Sequence, residues 1–352
     1  MRTYDFTQNY EKLLTPDIVA LLTQIHEYKG EQALFIEAKA DTLTKLVEIA
    51  KIQSTESSNK IEGIYTSDER LKKLVQDKTT PRTRNEQEIA GYRDVLNTIH
   101  ESHAFIPIRP AYILQLHRDL LKRTGLSYGG SFKNVQNYIN ETRPDGTQVT
   151  RFTPVAPYET PDAVAAICDS YARTLALEVL DPLLLIPTFI CDFLCIHPFN
   201  DGNGRMSRLL TLLLLYQNGF EVGKYISVEK EIERTKDVYY DVLEGADSGW
   251  HEEKNDYTPF IRYMLQVVLS CYVEFEERVG LMQESGARST AYDVVKAYAT
   301  SKVGKFSSAE AIAGCPSAGR SSVLSALKKL TDEGYLTRLK SGRNVAYVRS
   351  DS

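Results

Sequence analysis

A mostly α-helical fold, interrupted once by a β-hairpin and closed by a small helix-and-strand domain, is what this sequence predicts. Three observations predict it. Apolar residues recur at helical spacing in segment after segment, the pattern of helices with one buried face. Between Phe132 and Phe152, polar, β-branched and aromatic runs flank the turn Arg143-Pro144-Asp145-Gly146, which signals a hairpin instead. From Arg288 onward the charge balance reverses: eleven Lys and Arg face five Asp and Glu, a local +6 in a chain of net charge −5, leaving −11 for everything before it. Parts so unlike in charge are expected to meet different partners.

The length of 352 residues gives room for two or three domains and a sizeable core. With 42% apolar and 25% charged residues the chain is an ordinary globular protein rather than a disordered one. No apolar run nears the ~18 residues of a membrane span and no basic-then-apolar leader opens the chain, so the expectation is cytoplasmic residence without a membrane partner. The five cysteines, Cys168, Cys191, Cys195, Cys271 and Cys315, are odd in number, sit in apolar or helical contexts and read as reduced core thiols.

Taken in order, Thr15-Pro16-Asp17 opens a helix whose apolar positions are Ile18, Leu21, Leu22 and Ile25. Ser57 to Ile64 is a polar helical segment ending at Gly63, with Ser58 and Glu62 four apart on one face; by itself it reads as a solvated helix end. Asn85 to His100 is amphipathic through Ile89, Tyr92, Val95, Leu96 and Ile99. Pro107 and Pro110 precede a helix from Ile113 to Leu121, on whose stripe His117 reads as a hydrogen-bonded core histidine. Leu183 to Ile196 and Leu209 to Leu215 are two buried helices, the second ended by Gly219. Val228 to Glu244 reads as one further helix, carrying Tyr239 and Tyr240 near its end, and Tyr257 to Val279 closes the helical core.

Ser285-Gly286 reads as a linker. Beyond it come helices at Ser289 to Ala299 and Ala309 to Ala313, then Pro316-Ser317 capping Ala318 to Glu333, and strands Tyr335 to Lys340 and Asn344 to Val348 around Ser341-Gly342. Helices followed by a two-stranded wing resemble a winged helix-turn-helix domain. Arg320, Lys328, Lys329, Arg338, Lys340 and Arg343 would then supply phosphate contacts, although such domains also dock proteins; the expected partner is DNA or protein.

The chemistry concentrates between the two buried helices, in His197-Pro198-Phe199-Asn200-Asp201-Gly202-Asn203-Gly204-Arg205-Met206-Ser207-Arg208. An imidazole, a carboxylate and two guanidiniums beside a core are costly unless paired or met by a ligand. Gly202 and Gly204 around Asn203 allow backbone conformations that turn successive N–H groups inward, an anion nest at a helix start. Arg205 and Arg208 share one face of that helix's first turn, where two cations at the positive pole are unfavourable by up to ~1 kcal/mol each; a polyphosphate would relieve them. Asp201 is the natural ligand for Mg²⁺, which takes one or two carboxylates plus phosphate oxygens and water. His197 stands ready to take a proton from an attacking hydroxyl.

These residues match the Fic family signature, H-P-F-x-[DE]-G-N-G-R-x-x-R, at every specified position, and the chain is identified by them as resembling that family. The resemblance implies a Fic-type helical core and transfer of AMP from ATP to a Ser, Thr or Tyr hydroxyl of a target protein, with Mg²⁺. Ser58-x-x-x-Glu62-Gly63 resembles the family's inhibitory motif, [ST]-x-x-x-E-[GN], whose glutamate pairs with the second signature arginine, here Arg208. A carboxylate there takes the place of the γ-phosphate and misaligns ATP. The resemblance further makes the hairpin a flap that aligns the target by strand addition, and gives Tyr239 and Tyr240 contacts to adenine and ribose. Lys133 stands where many family members have arginine. Some members also remove AMP with help from the glutamate, and a homodimer is expected by analogy. The implied division is 1–100 with the inhibitory motif, 101–284 as catalytic core and 285–352 as winged helix; the rival reading is a DNA-binding regulator whose core senses nucleotide.

Overall fold

The computed structural model describes residues 2–8, 10–38, 40–142, 145–284, 291–300, 305–315, 318–341 and 344–350. It divides into two compact units, Met1–Tyr272 and Val273–Ser352. Ser285-Gly286, Pro316-Ser317, Arg143-Pro144, Gly342 and Arg343, to which the sequence assigned a linker, a cap, two turns and a phosphate contact, lie outside the described residues.

The first unit opens with two long helices, α1 (Pro16–Ala38) and α2 (Ala40–Ile61), then α3 (Asp68–Val75), α4 (Arg84–Ser102) and α5 (Pro110–Leu121). Side-chain caps at Ser67 and Thr83 start α3 and α4, and Pro110 occupies the first turn of α5, where its missing N–H costs nothing. Strands β1 (Ile139–Thr142) and β2 (Gln148–Phe152) pair antiparallel as the expected hairpin, with a register irregularity between Ile139 and Asn140. The first strand begins only at Ile139; before it, the Lys133 amide is bonded to the Pro198 carbonyl of the signature loop.

Next come α6 (Thr160–Leu177), α7 (Pro182–Ile196) and α8 (Asn203–Gln217). Leu183 to Ile196 are buried on every side, as are Arg205 to Tyr216, so α7 and α8 form the central helical hairpin of the unit. α7 packs on α6 and α8; α4 lies against α2, α5 and α8. The expected single helix from Val228 to Glu244 is two, α9 (Val228–Arg234) and α10 (Lys236–Asp247). Thr235 breaks it: its hydroxyl bonds back to the Glu231 carbonyl at 2.8 Å and meets the Tyr263 hydroxyl at 2.7 Å, and its backbone leaves the helical region. α11 (Thr258–Glu284) follows, its residues from Val273 onward counting with the second unit.

The second unit contains α12 (Ala291–Thr300), β3 (Phe306–Ser307), α13 (Ser308–Gly314), α14 (Arg320–Asp332), β4 (Leu336–Ser341) and β5 (Asn344–Arg349). The short strand β3 was not anticipated. It completes an antiparallel sheet of order β3-β5-β4 and leads directly into a capping box, Ser307 with Glu310, that starts α13. Val295, Phe306, Ala311, Val323, Leu327, Leu330 and Leu336 form its own core. Among the described residues no helix is long and apolar enough to cross a membrane.

Candidate active site

The loop 197–202 is shaped by backbone conformations at both ends. His197 terminates α7 in the left-handed region, φ 50° and ψ 62°, and Gly202 precedes α8 at φ 85°. Asn203, the first residue of α8, folds back on Phe199 within the loop, accepting its N–H at 2.9 Å and donating to its carbonyl at 2.8 Å. Phe199 is fully buried and stacks on the His117 ring at 3.7 Å. His117 accepts the Gly130 N–H on Nδ1 at 3.1 Å, so Nε2 carries the proton and donates to the Asp201 carbonyl at 3.0 Å. Burial pulls its pKa down to about 4, which keeps it neutral. It is a structural histidine, as its place on the stripe suggested.

The loop opens onto a cavity of about 570 Å³, which brings together His197, Asp201, Gly202, Asn203, Gly204 and Arg208 with Glu62, Tyr239 and Tyr240. Ile139, Asn140, Glu141 and Arg151 of the hairpin form one wall. His197 Nδ1 donates to the Leu194 carbonyl at 3.2 Å, which leaves Nε2 as the proton acceptor. Burial depresses its pKa to about 4, so it is an unprotonated base at neutral pH.

Arg208 meets the end of α2. Its Nε donates to Ser58 Oγ at 2.8 Å, and its Nη2 to the Ser58 carbonyl at 2.9 Å and Glu62 Oε1 at 2.7 Å. Burial disfavours a charged Glu62, but Arg208 outweighs it, with help from Arg205 and Lys236, and holds the carboxyl below its ordinary pKa. The carboxylate lies so close to Gly204 that a Cβ there would stand 2.2 Å from Oε1. Glycine at 204 therefore makes room for an acidic oxygen at the start of α8. The solvated helix end expected at 57–64 is corrected at its first three residues: Ser57, Ser58 and Asn59 are 2%, 0% and 0% exposed, because Ser58 faces Arg208, Ser57 donates to Glu233 and Asn59 turns back onto the Thr55 carbonyl. Lys236 Nζ caps the Ile61 carbonyl at 2.9 Å.

Arg205 departs from expectation. It does not line the cavity; its Nη1 donates to Glu88 Oε2 at 2.6 Å and its Nη2 to Asp201 Oδ1 at 3.3 Å. The two cations at the helix start are thus each met by a carboxylate of the chain itself. Glu88 escaped the sequence reading, yet it continues the buried stripe Tyr92, Val95 and Ile99 of α4, where a carboxylate signals a buried partner. Asp201 turns a 39% exposed carboxylate toward the cavity. Among the described residues no three His, Cys, Asp or Glu are grouped to hold a metal, so a cation at Asp201 would depend on phosphate and water for its other ligands, which suits Mg²⁺. Tyr239 is 4% exposed and packs on Phe260 and Tyr263, while Tyr240 is 42% exposed, lines the cavity and meets Tyr239 edge-on at 5.3 Å. Lys133 is fixed in place, its Nζ on the Ile196 carbonyl at 2.9 Å. All five cysteines are buried thiols.

Residues 107–215 match the Fic/DOC family. This Fic stretch holds α5, the hairpin, α6, α7, the signature loop and most of α8; Ser58, Glu62, Tyr239 and Tyr240 lie outside it. The protein adenylyltransferase fic-1 of Caenorhabditis elegans is 30% identical over 152 residues, 43% of this chain and 25% of that one. The protein adenylyltransferase Fic of Aedes aegypti is 26% identical over 178 residues, 50% of this chain and 30% of its own. The chain thus spans about a quarter to a third of the length of these curated relatives. In fold it is similar to a Fic family protein from Desulfovibrio desulfuricans G20, with TM-score 0.62, 22% identity and coverage of 96% of this chain and 98% of that one. It is also similar to Fic-1 from C. elegans, with TM-score 0.56, 21% identity and coverage of 76% and 73%. These matches support a Fic family protein.

Proposed function

We propose that this chain is a protein adenylyltransferase restrained by its own Glu62. The observation that carries the reading is the Glu62 carboxylate lying against Gly204 and ion-paired with Arg208, inside the cavity that also holds the His197 imidazole. An acidic side chain already fits the anion seat at the helix start, and the seat suits the terminal phosphate of ATP once that side chain leaves.

His197 Nε2 takes the proton of a target Ser, Thr or Tyr hydroxyl as its oxygen attacks the α-phosphorus of ATP; the bond to the β-phosphate oxygen breaks and pyrophosphate leaves. Gly202, Asn203 and Gly204 face the polyphosphate with backbone N–H groups, and Arg208 holds its end. Asp201 would hold Mg²⁺ with phosphate oxygens, and the ion, when bound, neutralises charge on the polyphosphate. Arg205 acts one step back, steadying Asp201. Tyr240 stacks on the base beside Tyr239, and the hairpin aligns the target chain. Residues 1–100 carry the brake, with Ser58 and Glu62, and 101–284 the catalysis. Cytoplasmic residence and a homodimer belong to the same reading.

The test is transfer of label from ATP with Mg²⁺. With α-phosphate tagged, Glu62→Gly should label protein more than wild type, and adding His197→Ala should abolish it. With the γ-phosphate tagged, no label should appear. Label from the γ-position, or none from either, contradicts the reading. Release of AMP from a purified modified target would show the reverse reaction.

A second reading rests on the smaller unit. Its order of helix, strand, two helices and two strands, with Arg320, Lys328, Lys329 and Arg338 exposed, supports a winged helix at 285–352 that binds DNA through α14. A DNA-binding regulator that senses nucleotide would keep salt-sensitive DNA affinity after His197→Ala; absence of any such affinity removes this reading.

A further inference from the structure

Four consecutive carbonyls around His197 are held from one short segment, residues 133–137. Lys133 Nζ donates to the Ile196 carbonyl at 2.9 Å, and the Lys133 amide donates to the Pro198 carbonyl at 2.8 Å. Asn137 Nδ2 donates to the Phe199 carbonyl at 3.0 Å and reaches the His197 carbonyl at 3.4 Å. The two side chains are tied to each other, Lys133 Nζ donating to Asn137 Oδ1 at 3.0 Å. A non-glycine residue at φ 50° persists only where its surroundings over-determine it, and these bonds fix the peptide units on both sides of His197. The clamp is costly to build: Lys133 is 3% exposed, and burial pulls its ammonium down to about 8.

We propose that Lys133 and Asn137 are positioning residues for His197, holding its backbone in the left-handed conformation that aims Nε2 into the cavity. The same segment runs into β1 at Ile139, two residues beyond Asn137. A target strand added to the hairpin and the base that deprotonates it are therefore registered by one piece of chain. This rests on the adenylyltransferase reading, in which His197 is the base.

The experiment uses full-length protein in the Glu62→Gly background. Asn137→Asp keeps the shape and the acceptor for Lys133 but loses both donations to the loop; Lys133→Ala removes the hold on Ile196, and Lys133→Arg restores a donor. Misplacement of a catalytic group without loss of substrate binding should lower kcat about 10- to 100-fold in the first two, leave KM for ATP within about twofold, and be largely reversed in the third. An unchanged kcat in Asn137→Asp, or a loss carried mainly by KM, overturns the proposal. The imidazole resonance of His197 gives a readout that needs no turnover: it should shift and broaden in Asn137→Asp, and an unaltered resonance likewise overturns the proposal. If Glu62→Gly itself transfers nothing while the resonance responds, the assigned reaction fails and the clamp stands.

Discussion

Arg205 and Arg208 stand one helical turn apart at the start of α8, both buried and each paired with a carboxylate, yet the pairs are built differently. Glu88, the partner of Arg205, has a side chain 6% exposed, comes from the second turn of α4 and also accepts from Arg84 Nε at 3.0 Å. Glu62, the partner of Arg208, is 32% exposed, lies just past the last turn of α2 and lines the cavity. The first pair is enclosed, so losing Glu88 leaves the buried Arg205 guanidinium with only its longer contact to Asp201, 3.3 Å. The second opens onto a space that another anion can fill. Two identical side chains on one helix face thus serve different ends because of where their partners come from.

Breaking each pair should separate the two roles, with the largest effect at the enclosed one. Glu88→Ala leaves the Arg205 guanidinium buried without its main partner and should cost about 3–5 kcal/mol of stability, read as a lowered denaturant midpoint. Glu62→Gly should cost less than Glu88→Ala, since Arg208 keeps both bonds to Ser58 and faces the cavity, while raising label transfer at least about tenfold. An equal loss of stability in both would erase the distinction.

Arg208→Lys in the Glu62→Gly background should raise KM for ATP about tenfold, because an ammonium cannot form the guanidinium's forked contacts. Arg205→Lys should leave that KM nearly unchanged and lower stability instead. The smallest effect concerns pH. Glu62 is held below its ordinary pKa of 4.5, so its ion pair is present above that value and is lost only as pH falls through the depressed pKa. His197 becomes protonated as pH falls through about 4. Above pH 4.5 Glu62 therefore stays a paired carboxylate and His197 an unprotonated base: wild type should show no acid-activated window in a label assay between pH 7 and 4.5, and transfer by Glu62→Gly should fall near pH 4.

Contiguity decided what the sequence revealed. His197, Asp201, the two glycines and the two arginines lie within twelve residues, so their chemistry could be read as a unit, and the helical stripes of α4, α5, α7 and α8 were equally plain. Ser58 and Glu62 reached the site only through resemblance, since hydroxyls on a helix look solvated until a buried guanidinium explains them. Glu88 was visible as a carboxylate on an apolar stripe and went unread. Asn137 carries no local signal at all, because its partners are backbone carbonyls some sixty residues away. The break at Thr235 was missed for a similar reason: a threonine hydroxyl turned onto Tyr263 depends on packing that periodicity does not encode.

The most direct measurement is a crystal of Glu62→Gly soaked in ATP and Mg²⁺. The account predicts the terminal phosphate between Gly204 and the Arg208 guanidinium, with the α-phosphate facing His197. Triphosphate bound elsewhere, or a cleft without it although the carboxylate has been removed, would contradict it.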